Sequence, residues 1–90
     1  IKTVSMSLKL KIISPERIVF NGEVDSIKVP GTNGQFEVLN NHAPIISSLG
    51  KGFVEYSFNG GKKQLEVSGG FIEVKDNDVS LCVETPSSLV

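Results

Sequence analysis

The sequence has no tryptophan and contains a single histidine, cysteine, tyrosine and alanine. A zinc site rich in histidine cannot be built from His42 alone, and a Ser-His-Asp triad would depend entirely on that residue. Cys82 has no second cysteine for an internal disulfide, so nothing calls for an oxidising compartment. A platform of aromatic side chains that binds carbohydrate or peptide is not expected, because Tyr56 is the only tyrosine and there is no tryptophan. These shortages argue against an enzyme and weaken the case for a free-standing binding module.

Clustered positive charge and long apolar runs are missing as well. The net charge is −1, and Lys62-Lys63 is an isolated basic pair that a solvated hairpin end explains. Nucleic acid binding needs a basic face, so we expect no nucleic acid partner. No apolar run approaches the roughly 20 residues that span a bilayer, and we find no signal peptide. We therefore expect a cytoplasmic protein without direct membrane insertion, held by another protein if it works at a membrane.

Apolar side chains at every second position are the strongest positive signal. Leu8, Leu10 and Ile12 are separated by Lys9 and Lys11. This alternation predicts strands with one buried face, and the abundance of valine and isoleucine favours strands over helices. The fold class that follows is all-β, a two-sheet β-sandwich of about eight to ten short, mostly antiparallel strands. Similar alternation surrounds Ile27, Val54, Leu65, Ile72 and Val79.

Turn residues separate the predicted strands. Asn21-Gly22, Asn33-Gly34 and Asn59-Gly60 each have the composition of a type I′ hairpin turn, which needs positive φ angles. Asp76-Asn77-Asp78 divides two later strands in the same way. We interpret this acidic triplet as a turn and not as a calcium loop, because no closing acid follows at the required spacing. Gly69-Gly70 opens a strand, where a bulge or a close backbone contact is expected.

No residue pattern predicts a catalytic, cofactor-binding or metal site. The glycine-rich stretches lack the following helix and lysine that hold phosphate. Cys82 alternates with apolar neighbours and is interpreted as an inert residue of a sheet. Two stretches, Pro30–Gln35 and Asn40–Pro44, are predicted as loops. The residues alone thus predict a β-sandwich whose function resides on its surface, without naming the surface or the partner.

Four ordered stretches resemble a known family. They are Ile13–Val24, Ile27–Phe36, Val38–Ile46 with its His42-Ala43-Pro44, and Val67–Val74 with its Ser-Gly-Gly-Phe. In this order and spacing they are similar to the amino-terminal β-sandwich domain of the epsilon subunits of F-type ATP synthases, which are called delta in mitochondria. The resemblance runs from about Leu8 to Glu84.

The resemblance implies a division of the chain and a function. Residues 1–7 are interpreted as a leader or a remnant of cloning, residues 8–84 as the sandwich domain, and residues 85–90 as a short tail without the carboxy-terminal helical domain that usually follows. The implied function is a non-catalytic central-stalk subunit. It links the gamma subunit to the c-ring and couples proton- or sodium-driven rotation to ATP synthesis. Its implied location is the cytoplasmic face of the bacterial inner membrane. The alternative is a free-standing sandwich that binds a peptide or carbohydrate.

The resemblance also implies an interface with gamma and the c-ring. Gln35 stands where the family commonly has an acidic residue, which puts a charge-paired contact with the ring in question. Glu37 and Asn40 also depart from the family pattern. The implied interface residues are Ser14, Gly31, Thr32, Asn33, Gly34, Gln35, His42, Ala43, Pro44 and Ile45.

Overall fold

The computed structural model describes residues 7–86, in which nine β-strands and no helix are found. This confirms the predicted all-β class and the predicted number of strands. Residues 1–6 of the predicted leader and 87–90 of the predicted tail lie outside the described residues. The strands are β1 (Leu8–Ile13), β2 (Ile18–Val24), β3 (Ser26–Gly31), β4 (Gly34–Val38), β5 (Ile45–Leu49), β6 (Gly52–Phe58), β7 (Gly61–Val67), β8 (Gly69–Lys75) and β9 (Asp78–Glu84).

The strands form one hydrogen-bonded sheet that curls into two layers. The first layer has the order β2-β1-β9-β8-β5, and the second joins β3 to β4 on one side and β6 on the other, with β7 beyond β6. A single bridge between Gly31 and Leu49 joins the layers through β3 and β5. All the described strand pairs are antiparallel except β1 with β9, which is parallel.

The chain passes from one layer to the other at Asp25. β2 ends at Val24 and β3 begins at Ser26, so one residue makes the corner. The Asp25 N–H donates to the Ser57 carbonyl at 2.7 Å, and the Ser26 and Ser57 hydroxyls lie 2.8 Å apart. These bonds satisfy polar groups that would otherwise be left unpaired at a sharp change of direction.

The core lies between the two layers and follows the alternation of the sequence. Leu8 and Ile12 are fully buried, while Lys9 and Lys11 point outward. Burying a large apolar side chain contributes about 1.5–3 kcal/mol, so this core is the main source of stability. Its members come from both layers: Leu8, Leu10, Ile12, Val24, Ile27, Val29, Val38, Leu49, Val54, Tyr56, Val67, Ile72, Val74, Val79, Leu81 and Val83.

Three aromatic rings join β2 to β6 across the layers. The Phe20 ring centroid lies 4.7 Å from that of Tyr56 and 5.6 Å from that of Phe58, both at tilted angles. The Tyr56 and Phe58 rings are stacked at 6.1 Å. Burial within this cluster raises the pKa of the Tyr56 hydroxyl.

Two of the predicted turns are confirmed. Asn59 and Gly60 have φ angles of 52° and 77° and connect β6 to β7. Asp76 and Asn77 have φ angles of 53° and 64° and connect β8 to β9. Both loops have two residues with positive φ, as a type I′ hairpin requires.

The prediction of a turn at Asn21-Gly22 is wrong. Both residues lie within β2, where Asn21 faces Lys11 and Gly22 faces Leu10 of β1. A Cβ at position 22 would lie 3.3 Å from the Phe20 ring, a tight contact that a small shift of the ring would relieve. Pairing with β1 along the length of β2 outweighs the local preference for a turn.

The turn predicted at Asn33-Gly34 is displaced by one residue. β3 and β4 are connected by Thr32 and Asn33, and Gly34, with a φ of 128°, opens β4. The loop predicted at residues 30–35 is therefore mostly strand.

Candidate functional site

Ser14, the first predicted interface residue, is buried at the end of β1. Its side chain is 6% exposed, and its hydroxyl donates to the Arg17 carbonyl at 3.2 Å. The Ser14 N–H donates to the same carbonyl at 2.9 Å. The Ser14 hydroxyl thus closes the turn that leads into β2.

The predicted residues between Gly31 and Gln35 form the tip of the β3–β4 hairpin. Thr32 and Asn33 are exposed at the tip, and Gly34 and Gln35 are exposed on β4. Gly31 is required by the tightness of the hairpin, because a Cβ there would lie 2.7 Å from the Gly34 carbonyl oxygen and 2.8 Å from the Phe36 ring.

The hairpin tip is held against the neighbouring connection between β5 and β6. The Gly50 N–H donates to the Pro30 carbonyl at 2.7 Å, and the Thr32 N–H donates to the Ser48 carbonyl at 3.3 Å. The tip is thereby presented on a fixed backbone.

The residues from Asn40 to Pro44 form the loop between β4 and β5, as predicted. The His42 N–H donates to the Leu39 carbonyl at 3.1 Å, and Asn41 adopts a φ of 68°. The His42 ring Nδ1 lies 2.7 Å from the Ala43 carbonyl oxygen. Because a carbonyl can only accept, Nδ1 carries the proton in this hydrogen bond.

The fold places the predicted residues along an edge and does not gather them at one point. β4 separates the hairpin tip from the Asn40–Pro44 loop, and its five residues span about 13 Å. Ser14 follows the carboxyl end of β1. Near the other end of β1, the Lys9 N–H donates to the Asn77 carbonyl, which lies beside the Asn40–Pro44 loop. The predicted residues are thus Ser14 at one end of β1 and an elongated strip that includes β4 and the loops at both of its ends.

The sequence reasoning missed an apolar stripe on the outer face of the first layer. We define the outer stripe as Ile13, Ile46, Phe71 and Cys82. Cys82 of β9 faces Ile13 of β1 on one side and Phe71 of β8 on the other. Ile46 of β5 faces Glu73, which places it diagonally next to Phe71. Ile46 is 73% exposed and Phe71 47%.

A groove of about 310 Å³ accompanies the stripe at the Ser14 end. It is lined by the Ser14-Pro15 turn together with Gly70, Phe71 and Cys82. The signal for this surface was present in the sequence, since Phe71-Ile72 and Leu81-Cys82-Val83 place apolar residues on both faces of a strand. The alternation rule assigns one of those faces to water, and so the second apolar face was overlooked. Large contiguous patches of exposed apolar residues mark protein contact sites, and the outer stripe is the candidate for one here.

The described part of the chain offers neither a cluster of metal ligands nor a spanning helix. Residues 7–86 contain no group of three or more His, Cys, Asp or Glu side chains able to hold a metal ion. In the same range there is no helix with the length and apolar character needed to cross a membrane.

Comparison with protein families matches residues 7–87 to the family described as "ATP synthase, Delta/Epsilon chain, beta-sandwich domain". The ATP synthase epsilon chain of Leptospira interrogans is 48% identical over 77 residues, which are 86% of this chain and 61% of the relative. The epsilon chain of Desulfitobacterium hafniense is 42% identical over 76 residues, 84% of this chain and 58% of the relative. The chain therefore spans about three-fifths of the length of these relatives.

Solved structures show the same fold. A chain of the Euglena gracilis mitochondrial ATP synthase, in a cryo-EM structure of OSCP, F1 and the c-ring, superposes with a TM-score of 0.83 at 24% identity over 91% of this chain and 53% of its own length. A chain of the Tetrahymena thermophila mitochondrial ATP synthase, from a structure of the central stalk and c-ring, gives 0.75 at 16% identity over 91% of this chain and 66% of its own.

Proposed function

Since the chain belongs to the β-sandwich domain family of ATP synthase delta and epsilon chains, we propose that it is a non-catalytic subunit of the central stalk of an F-type ATP synthase. In this role it links the gamma subunit to the c-ring and couples ion-driven rotation to ATP synthesis. The family match carries the proposal, because residues 7–87 include every described strand. The names of the relatives favour this function over the alternative of a free-standing peptide- or carbohydrate-binding module.

We assign the outer stripe to the gamma subunit. A subunit that rotates with its partner needs a lasting attachment, and lasting interfaces have more apolar cores than transient ones. Ile46 and Phe71 provide exposed apolar surface on adjacent strands, and the buried Ser14 hydroxyl fixes the turn beside them. Both strands belong to the packed layer, so the stripe presents a defined shape.

We assign the strip from Gly31 to Ile45 to the c-ring. Its exposed positions include the polar Asn33, Gln35 and Glu37 as well as the apolar Leu39, and loops carried on rigid strands hold a fixed geometry. An association with the ring places the protein at the membrane as a peripheral subunit. The bacterial relatives favour the cytoplasmic face of the inner membrane.

The sandwich domain, which we propose to comprise residues 8–84, suits the transmission of torque. A closely packed core changes shape little under load, and here a single core connects the two layers. A force applied at the β4 edge therefore reaches the stripe without a flexible joint in between.

The stripe assignment is tested by replacing Phe71 with serine and measuring affinity for a purified gamma subunit. Removing this exposed ring should leave the fold intact and weaken binding about tenfold or more, as expected for an aromatic residue at the centre of an interface. Phe53→Ser is the matched control, because Phe53 is 50% exposed on β6 in the other layer. Equal affinities for wild type, Phe71→Ser and Phe53→Ser would refute the assignment.

A further inference from the structure

The loop between β4 and β5 is tied to the β8–β9 turn by one side chain. The Asn41 N–H donates to the Asn77 Oδ1 at 2.7 Å, although the two residues are 36 positions apart in the chain. Asn77 is itself anchored, because its carbonyl accepts the Lys9 N–H of β1 at 2.9 Å. A continuous path of hydrogen bonds thus leads from β1 through Asn77 to the loop that carries His42.

The residue type at position 77 is not explained by the turn alone. The second position of a type I′ turn favours glycine, since φ is positive there. The β6–β7 hairpin of this protein follows that preference with Gly60 at a φ of 77°. The β8–β9 hairpin has Asn77 at a φ of 64° in the same position. Glycine would suit the backbone but would offer no side-chain acceptor to Asn41.

From this comparison we infer that Asn77 is a positioning residue for the Asn40–Pro44 loop. Its amide oxygen fixes the backbone of Asn41, which has a φ of 68°, and thereby sets the path of the chain immediately before His42. The loop and the turn together border a groove whose lining includes His42 and Pro44 as well as Asn77. The positioning role follows from the contact itself, and only the identity of the partner that meets the loop, the c-ring, rests on the proposed function.

Two substitutions separate the acceptor from the backbone conformation. Asn77→Gly keeps the positive φ and removes the acceptor, whereas Asn77→Asp keeps both an oxygen acceptor and tolerance of positive φ. The readout is amide hydrogen exchange at Asn41 in the whole chain. We expect exchange to be about three- to tenfold faster in Asn77→Gly, the range for loss of one hydrogen bond, and within about twofold of wild type in Asn77→Asp.

Asn59→Gly is the matched control. It also replaces an asparagine at positive φ by glycine, but in the β6–β7 turn, whereas the Asn41 amide is bonded to the β8–β9 turn. It should leave the Asn41 amide unchanged. Thermal unfolding of Asn77→Gly should remain close to wild type, since glycine suits the turn. Unchanged exchange at Asn41 in Asn77→Gly would overturn the inference, as would equal acceleration in Asn59→Gly.

Binding of the same variants to a rotor of gamma and c-ring gives a separate result. Weaker binding of Asn77→Gly, together with faster exchange at Asn41, supports both the positioning role and the ring contact. Faster exchange with unaltered binding supports the positioning role and contradicts the assignment of the loop to the ring.

Discussion

At some positions of this protein, the close approach of a neighbouring strand's backbone leaves room only for glycine. Gly70 of β8 has a φ of 138°, and a Cβ there would overlap the Cys82 carbonyl oxygen and lie 2.8 Å from the Val83 Cα. The Ser-Gly-Gly stretch predicted to hold a bulge or a close contact therefore does hold a close contact. The missing Cβ at Gly70 allows β8 to pair with β9 next to Phe71 and Cys82, which belong to the outer stripe.

Alanine at Gly70 should destabilise the fold much more than alanine at Gly34. Gly34 has a similar φ of 128°, but a Cβ at that position would meet nothing within 4 Å, so Gly34→Ala measures the cost of the backbone conformation alone. We expect losses of about 1–3 kcal/mol for Gly34→Ala and above about 4 kcal/mol for Gly70→Ala. Urea unfolding of both variants provides the measurement, and equal losses would show that the clash with β9 is relieved at little cost.

Ser14 and Asn77 show what sequence can and cannot reveal at the scale of a residue. The family resemblance selected Ser14, but its burial and its bond to the Arg17 carbonyl depend on the path of the following turn. No pattern selected Asn77 as a partner of Asn41, because the contact joins residues far apart in the chain. Contacts of this kind follow only from the arrangement of strands.

Strands and turns were predicted correctly where the local residue preferences agree with the pattern of burial in the fold. Alternation gave the strands, and the turns at Asn59-Gly60 and Asp76-Asn77 have the expected positive φ angles. The turn predicted at Asn21-Gly22 was wrong because both residues pair with β1 inside β2, a long-range contact that local turn chemistry does not reveal. The outer stripe was overlooked because exposed apolar residues contradict the simple rule of one wet face.

The contact between β2 and β6 predicts a loss of stability at alkaline pH. Burial raises the pKa of Tyr56, so above the ordinary tyrosine pKa of about 10 the folded state holds a proton that the unfolded state releases. The stability that this group contributes is complete below that pH and decreases as the pH rises through the folded-state pKa. Denaturant unfolding across this range should therefore show falling stability in wild type, and Tyr56→Phe should not show this part of the decrease.

The pKa of the Tyr56 hydroxyl can also be measured directly by titration. Because the chain has one tyrosine and no tryptophan, tyrosinate absorbance in the near ultraviolet reports on Tyr56 alone. The titration midpoint should lie above that of the chain unfolded in guanidinium. Coinciding midpoints would show that the aromatic cluster between β2 and β6 is open to solvent.

The whole molecule is organised as two layers around one core and carries the two proposed contact surfaces. The outer stripe covers part of the first layer, while the strip from Gly31 to Ile45 borders the β4 edge and continues into β5. The two surfaces adjoin at Ile45 and Ile46 of β5, and a rigid body that carries both can hold two partners at the same time. This arrangement is compatible with the proposed role between gamma and the c-ring.

Binding of the chain to a rotor assembled from gamma and the c-ring, in comparison with gamma alone, tests the central claim most directly. Two contact surfaces predict one chain bound per gamma, with clearly higher affinity for the complete rotor than for gamma, because the second contact forms at high effective concentration. Phe71→Ser should weaken both interactions. Failure of the chain to bind either gamma or the complete rotor would contradict the proposed role in the central stalk.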